Sequence, residues 1–466
     1  MNKHQDRKNV RNVFMGIFMV LFLNVNGQTI TVETAKTVGQ TFLNSKGNKS
    51  ELKLVHSTSE YYVFNGETGF VIVSNSNNVV PILGYSTSGT FDITNIPPSL
   101  TEILNGYSRE ISYVISEKLE VSTYSKEWEN LSNGIIPKVQ KSGSVEPMIK
   151  TQWGQGDQTQ YKWYNDSCPY DETAKRNVLV GCGAVTMAQI MKYYEWPKQG
   201  SSSRTYNANY NGNNYGPQSA NFGETTYNWE LMPNKLTGAN SAVAQLMYHC
   251  GVSVNMQYGA NYSGSYGFIN PVSVDEIDNV GNPNIDIVTS LQRYFKYSEG
   301  IYQIEKRNFN SDEEWISLIK EELNEKRPIN YGSSTHSYIC DGYDENNLLH
   351  MNFGWTGSCN GYFSVASIIP TQGTWSQNHT NGQYAIMGIK PNKSTGISEV
   401  NTTSVRVYPN PTTDKVFVET ESNIKVFSSI GQLLQEVFGT EVSLKNYTSG
   451  IYFIQVNGIT TKIVKQ

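Results

Sequence analysis

The sequence predicts an α+β protein in three parts: a small α+β domain, a larger region with a helical half and an antiparallel β half, and a small β-sandwich. Three observations predict it. The 466 residues exceed what one hydrophobic core can hold. Apolar residues recur at helical spacing over residues 180–194, whereas residues 335–355 form two β-rich runs joined by a polar turn. Beyond residues 393–398 the chain changes to short β runs separated by turns.

In chain order, residues 1–27 read as a signal peptide. Lys3, Arg7, Lys8 and Arg11 form a basic start, residues 13–23 an apolar run too short to span a bilayer, and Val25-Asn26-Gly27 a small-residue cleavage site. No later stretch has that character, so no transmembrane segment is expected in the mature form. From Gln28 a helix is expected over 32–44, strands over 53–56, 61–64 and 69–74, and an amphipathic helix over 99–119 after the Pro97-Pro98 turn. Residues 137–146 are polar, contain glycine and lack hydrophobic period, which makes them a linker and a natural place for cutting. Domain limits of 28–141, 142–396 and 400–466 follow.

In the central region Ala184, Met187, Ala188, Met191 and Tyr194 share one helix face, and Pro197 closes the helix. Cys182 therefore sits in the first turn between two glycines, where free backbone N–H groups and the helix dipole favour a thiolate. Residues 201–228 read as a polar surface loop. Residues 240–250 read as an apolar helix capped by Gly251, with His249 a structural histidine, and 312–326 as another amphipathic helix. The runs 335–343 and 348–355 read as a hairpin that brings His336 close to Asn352. A thiol nucleophile needs this pairing: an imidazole to take its proton and an amide to fix the ring. His350, two residues from Asn352 and on the same strand face, is the rival base; the serine- and threonine-rich setting of His336 can open to a cleft.

Five cysteines leave an odd one in an oxidising compartment. With Cys182 reactive, Cys168, Cys250, Cys340 and Cys359 remain for up to two disulfides in any of three connectivities. A net charge of -5 and no basic stripe argue against a nucleic-acid partner. No CxxC pair or HExxH helix suggests a metal, and no cofactor is expected. The glycine- and aromatic-rich loops 259–267 and 372–382 suit the walls of a peptide groove as well as they suit plain connections.

These motifs carry a resemblance. Gly181-Cys182, Ala188-Gln-Ile-Met-Lys-Tyr193, His336 opening the Cys340-Asp-Gly-Tyr343 strand, and His350-Met-Asn-Phe-Gly-Trp355 resemble the streptopain family of papain-like cysteine proteases. Trp153-Gly-Gln155, Tyr164-Asn165 and Cys168-Pro169 are similar to the start of that family's mature enzyme, and the likeness covers roughly residues 147–391. It implies a papain-like fold with Cys182 as nucleophile and His336 as base. It also implies Gln155 completing the oxyanion hole, Asn352 orienting His336, and Phe353 and Trp355 as apolar cover. Thr335 before His336 and Phe353 after Asn352 depart from the family pattern of a small residue with glycine, and of tryptophan. Tyr62-Val-Phe-Asn65, residues 69–74 and Leu83-Gly-Tyr-Ser86 resemble the family's propeptide, so the N-terminal domain is expected to be an intramolecular inhibitor. Tyr408-Pro-Asn-Pro411, Gly450-Ile-Tyr452 and the ending 461–465 resemble the C-terminal sorting domain of type IX secretion substrates. The combined expectation is a cysteine endopeptidase, secreted or attached to the outer surface, made as a zymogen and acting on proteins or peptides. A catalytically degenerate binding or inhibitor protein on the same fold is the alternative.

Overall fold

The computed structural model describes residues 29–119, 123–136, 143–156, 162–210, 212–265, 285–333, 336–368, 382–393, 406–429, 431–456 and 459–466. The expected signal peptide, the 137–142 part of the linker and most of loop 372–382 lie outside them.

The N-terminal part opens with helix α1 (Val32–Ser45), started by the Thr31 hydroxyl accepting the Thr34 N–H at 3.2 Å. An antiparallel meander follows: β1 (Lys53–Ser57), β2 (Tyr61–Asn65), β3 (Phe70–Ser74) and β4 (Ile82–Ser86). Apart from Asn65 at the end of β2, strands β2 to β4 are buried throughout, which is why they read as continuous apolar runs. Helices α1 and α3 (Ser125–Ser132) cover one sheet face through Ala35, Val38, Trp128 and Leu131. Helix α2 (Pro98–Ser116) covers the other through Leu100, Leu104, Tyr107 and Ile111.

In the central region β5 (Tyr170–Asp171) and β6 (Arg176–Asn177) precede helix α4 (Cys182–Tyr194). Residues expected to be a surface loop instead pair as a hairpin, β7 (Ser203–Tyr210) with β8 (Asn213–Asn221). Among its described side chains Ala208, Gln218 and Ala220 are buried, Tyr206 and Tyr215 pack partly on the core, and most of the others are polar, which hides the strand period. Helix α5 (Ser241–Ser253) runs through Gly251 rather than stopping there, and with α4 and the helix Ile287–Phe295 it builds the helical half. His249 is structural, as expected: its Nδ1 lies 3.0 Å from the Tyr227 hydroxyl, and burial pushes its pKa down to about 4.

The β half contains β9 (Tyr302–Glu305), β10 (Ile329–Gly332), β11 (Ser337–Tyr343), β12 (Leu349–Asn352), β13 (Gly361–Phe363) and β14 (Tyr384–Met387), with the helix Asp312–Asn324 packed on it. The N-terminal sheet does not stand apart from this half. Strand β4 pairs with β13, Tyr85 opposite Tyr362 and Gly84 opposite Phe363, giving one ten-stranded sheet ordered β1-β2-β3-β4-β13-β12-β11-β10-β14-β9. A single core joins Phe70, Ile72, Leu83 and Leu104 to Tyr338, Met351, Phe353 and Phe363. An added Cβ on Gly84 would lie 2.7 Å from the Phe363 ring, so the close approach of β4 requires glycine.

The C-terminal part is all-β: β15 (Val407–Tyr408), β16 (Lys415–Ser428), β17 (Leu433–Ser443), β18 (Gly450–Val456) and β19 (Ile459–Lys465). They form one sheet whose long strand β16 is irregular between Phe417 and Ser422, and Val416, Ile424, Tyr452, Ile454 and Ile463 fill its core. The Asn410 side chain explains the Tyr-Pro-Asn-Pro motif locally. Its Oδ1 accepts the Val464 N–H at 2.9 Å and its Nδ2 donates to the Lys462 carbonyl at 2.8 Å, tying the motif to the last strand.

Candidate active site

Helix α4 begins at Cys182 because Gly181 takes φ +93° in a space where a Cβ would meet the Met256 sulfur at 2.5 Å. Cys182 is half-buried at that first turn. On the opposite side runs β11, whose residues alternate: Ser337 and Ile339 face the helical half, while Tyr338 and Cys340 belong to the core shared with the N-terminal part. The Ser337 hydroxyl lies 3.4 Å from that of Thr186, which donates to the Cys182 carbonyl at 2.9 Å, and the Ser337 backbone N–H acts electrostatically on the Cys182 thiol, so the nucleophile candidate meets the strand one residue from His336.

The two groups are held in neutral forms. Burial pushes the Cys182 thiol above its ordinary value of 9.0, against the opposing pull of the backbone N–H groups of Ser337, Gly183 and Cys182 itself. The expected dipole-stabilised thiolate is therefore not the ground state here, because desolvation outweighs the helix start. Burial likewise pushes His336 below 6.5, partly offset by the charge of Glu102. Glu102 comes from α2 and accepts a hydrogen bond from the Ser333 hydroxyl at 2.5 Å. A second contact comes from Asn95 of the same N-terminal part, whose Oδ1 accepts the Trp355 indole N–H at 2.7 Å.

Gln155 is partly buried, and its backbone carbonyl accepts the Val180 N–H at 3.0 Å, which seats it beside the chain entering Cys182. Asn352 is placed differently from the expectation. Its pairing partner on β11 is Ile339, not His336. Its Nδ2 donates to the Thr151 carbonyl at 3.0 Å, and its Oδ1 accepts from Gln189 Nε2 at 3.3 Å and from the Gly354 N–H at 3.1 Å. Phe353 is a core residue, 5.5 Å in ring separation from both Tyr338 and Phe363. His350, the rival base, has its Nδ1 2.6 Å from the fully buried Asp341 carboxylate, whose other oxygen accepts the Ile149 N–H at 2.7 Å. That anchors the chain leading toward Trp153.

Sequence reasoning missed Gln189 as a site residue. Its Oε1 accepts from the Thr151 hydroxyl at 2.9 Å and the Trp153 N–H at 3.3 Å while its Nε2 reaches Asn352, so one buried amide joins α4, the Gln155 segment and the end of β12. The signal was present: a polar residue seven positions after Cys182, among apolar neighbours. The five cysteines are all unpaired, correcting the expectation of up to two disulfides; apart from Cys182 each is buried in its own packing environment. Among the described residues no cluster of metal-ligating side chains occurs.

Residues 157–363 match the Peptidase C10 family, and residues 27–111 match the Spi protease inhibitor family. Over residues 157–363 the chain is thus similar to streptopain-like Peptidase C10 domains. It carries a cysteine peptidase domain preceded by an inhibitor-type propeptide. Residues 406–466 match the secretion system C-terminal sorting domain, which addresses the protein to the cell exterior or surface. Streptopain from Streptococcus pyogenes is 29% identical over 72% of this chain and 82% of its own length. The thiol protease/hemagglutinin PrtT from Porphyromonas gingivalis is 28% identical over 84% of this chain, which spans only 41% of that longer protein. A prointerpain A fragment from Prevotella intermedia superposes with a TM-score of 0.57 at 27% identity, covering 73% of this chain and all of the fragment.

Proposed function

We propose that the chain is a secreted cysteine endopeptidase made as a zymogen, with residues 28–141 as inhibitory pro-domain, 142–396 as enzyme and 400–466 as sorting domain. The observation that carries the reading is the meeting of Cys182, at a helix start, with the strand that opens at His336. In the active form Cys182 Sγ adds to a peptide carbonyl. The oxyanion is held by the Cys182 N–H and the Gln155 side chain. His336 passes the thiol proton to the leaving amine, then takes one from the water that hydrolyses the thioester and frees the cysteine. Asn352 acts on this site through Gln189 and Thr151, holding the floor together, and Trp355 supplies the apolar cover. Peptide and protein chains are the substrates, the pro-domain is the intramolecular inhibitor, and secretion machinery is the partner of the C-terminal domain.

Cys182→Ala should abolish peptide cleavage and labelling by a thiol-directed peptide electrophile while leaving the fold unchanged, since thiol to methyl is a small change. His336→Ala should lose activity to a similar degree. His350→Ala should keep the chemistry but lose about 1–3 kcal/mol of stability, because one oxygen of buried Asp341 loses its hydrogen-bond partner. Substantial turnover by the Cys182 or His336 variant would overturn the assignment of that residue.

A further inference from the structure

The hairpin β18–β19 carries apolar residues on both faces. Tyr452, Ile454, Val456 and Ile463 fill the core of the C-terminal domain. On the other face, Ile451 pairs with Val464 and Phe453 with Lys462. A face meant for water would be polar, yet Val464 is only 2% exposed and Ile451 packs beside it. Both belong to the same core cluster as Tyr302, Trp315 and Leu323 of the catalytic region. The Lys462 ammonium lies 5.3 Å from the centre of the Tyr302 ring. Its charged neighbours are Glu321, Glu322 and Arg327, at and just beyond the end of the helix Asp312–Asn324, and burial lowers its pKa against the attraction of the two carboxylates. Glu322 is itself fixed by Arg327, at 2.8 Å through each oxygen, and by the Gly388 N–H at 2.7 Å, so the receiving surface is rigid.

We propose that the outer face of β18–β19 is a docking surface for the catalytic region, so that the C-terminal domain is seated on the folded enzyme rather than only tethered to it. Ile451 and Val464 supply the apolar contact, and Lys462 fixes the register by lying on Tyr302 with Glu321 nearby. Two consequences follow. The last strand is covered on one face until the domains part, and cutting the 394–405 joint does not by itself release the domain. The contact does not depend on what the domain is read by, so its test is separate from the secretion reading.

The test uses the full chain carrying Cys182→Ala, with a specific protease site placed in the joint. After cutting at micromolar concentration, the C-terminal fragment should co-elute with the rest on gel filtration. Lys462→Glu should release it at least tenfold more readily, and Lys462→Glu combined with Glu321→Lys should restore retention. Zero-length carbodiimide coupling of the uncut chain should join Lys462 to Glu321 or Glu322. Circular dichroism of the released fragment shows whether Lys462→Glu keeps it folded; should it unfold, the coupling result on the unmutated residues decides. Separation of the unmutated fragments, a Lys462→Glu protein that is retained as well as its parent, or no coupling to either glutamate would overturn the proposal.

Discussion

At the scale of single residues, Gln189 and Cys182 show how burial sets chemistry. Replacing Gln189 by Leu strands the Thr151 hydroxyl and the Trp153 N–H in a dry interior and leaves the Asn352 oxygen with the Gly354 N–H alone. A loss of about 3 kcal/mol is expected from chemical denaturation, together with lower activity because the Gln155 segment loses its anchor. Only loss of activity without loss of stability would point to a direct chemical role instead. Cys182 gives a prediction in pH. Its thiol is raised above 9.0 in this pro-domain-bound state, so it is protonated at neutral pH. Iodoacetamide should label the precursor slowly at pH 7 and faster only as pH climbs past 9, whereas mature enzyme, with Cys182 and His336 less desolvated once the pro-domain is gone, should label near neutrality. Equal labelling of both forms at pH 7 would show that the pro-domain does not control the thiol.

At the scale of elements, the junction of the N-terminal part with the enzyme centres on one strand pair and one helix. Gly84→Val on β4 would push against Phe363 and the Tyr362 carbonyl, so it should loosen the junction and raise the activity of the uncut precursor several-fold. Helix α2 contributes Glu110, a buried carboxylate that accepts from the Ser367 hydroxyl at 2.9 Å and the Ile368 N–H at 2.8 Å. Burial raises its pKa above 4.5. The bound state therefore holds the proton more readily than the free pro-domain does. This contribution to association is complete below about 4.5 and fades as pH rises through the raised value. Glu110→Gln should flatten that part of the pH dependence of pro-domain release, and an unchanged profile would place the titrating group elsewhere.

For the whole molecule, the shared sheet and core change what cutting the linker can do. The N-terminal part builds most of a core on the α1 side, to which the enzyme adds Leu348, and its other face is completed by Tyr338, Met351 and Phe363 of the enzyme. Lys46 adds a cross-junction tie to Asp344 and Glu345, 2.8 Å to each. Scission in residues 137–146 should therefore leave the two pieces together and the enzyme latent, with activity appearing only after the pro-domain is degraded or diluted. Gel filtration of the nicked Cys182→Ala protein should show one species. Separately made 28–141 fragment should inhibit mature enzyme at micromolar concentration. If it leaves the rate unchanged, and the uncut precursor is as active as the mature form, the zymogen reading is wrong.

Much was legible because local chemistry forces it. Glycine at 181 beside Cys182, the 3.6-residue stripe of α4, the buried runs of β2 to β4 and the polar turn at 344–347 each dictate their own backbone, and the cysteine with its downstream histidine names the chemistry. Tertiary structure alone decided what depends on register and on distant chain. A bulge between Cys340 and Gly342 and the pairing of Asn352 with Ile339 gave that amide to Gln189, Thr151 and Gly354. Pairing of β4 with β13 merged two expected domains into one sheet, because edge hydrogen bonds carry no sequence signature. The thiol's protonation was also decided there, since a helix start favours thiolate locally while desolvation is set by everything packed around it.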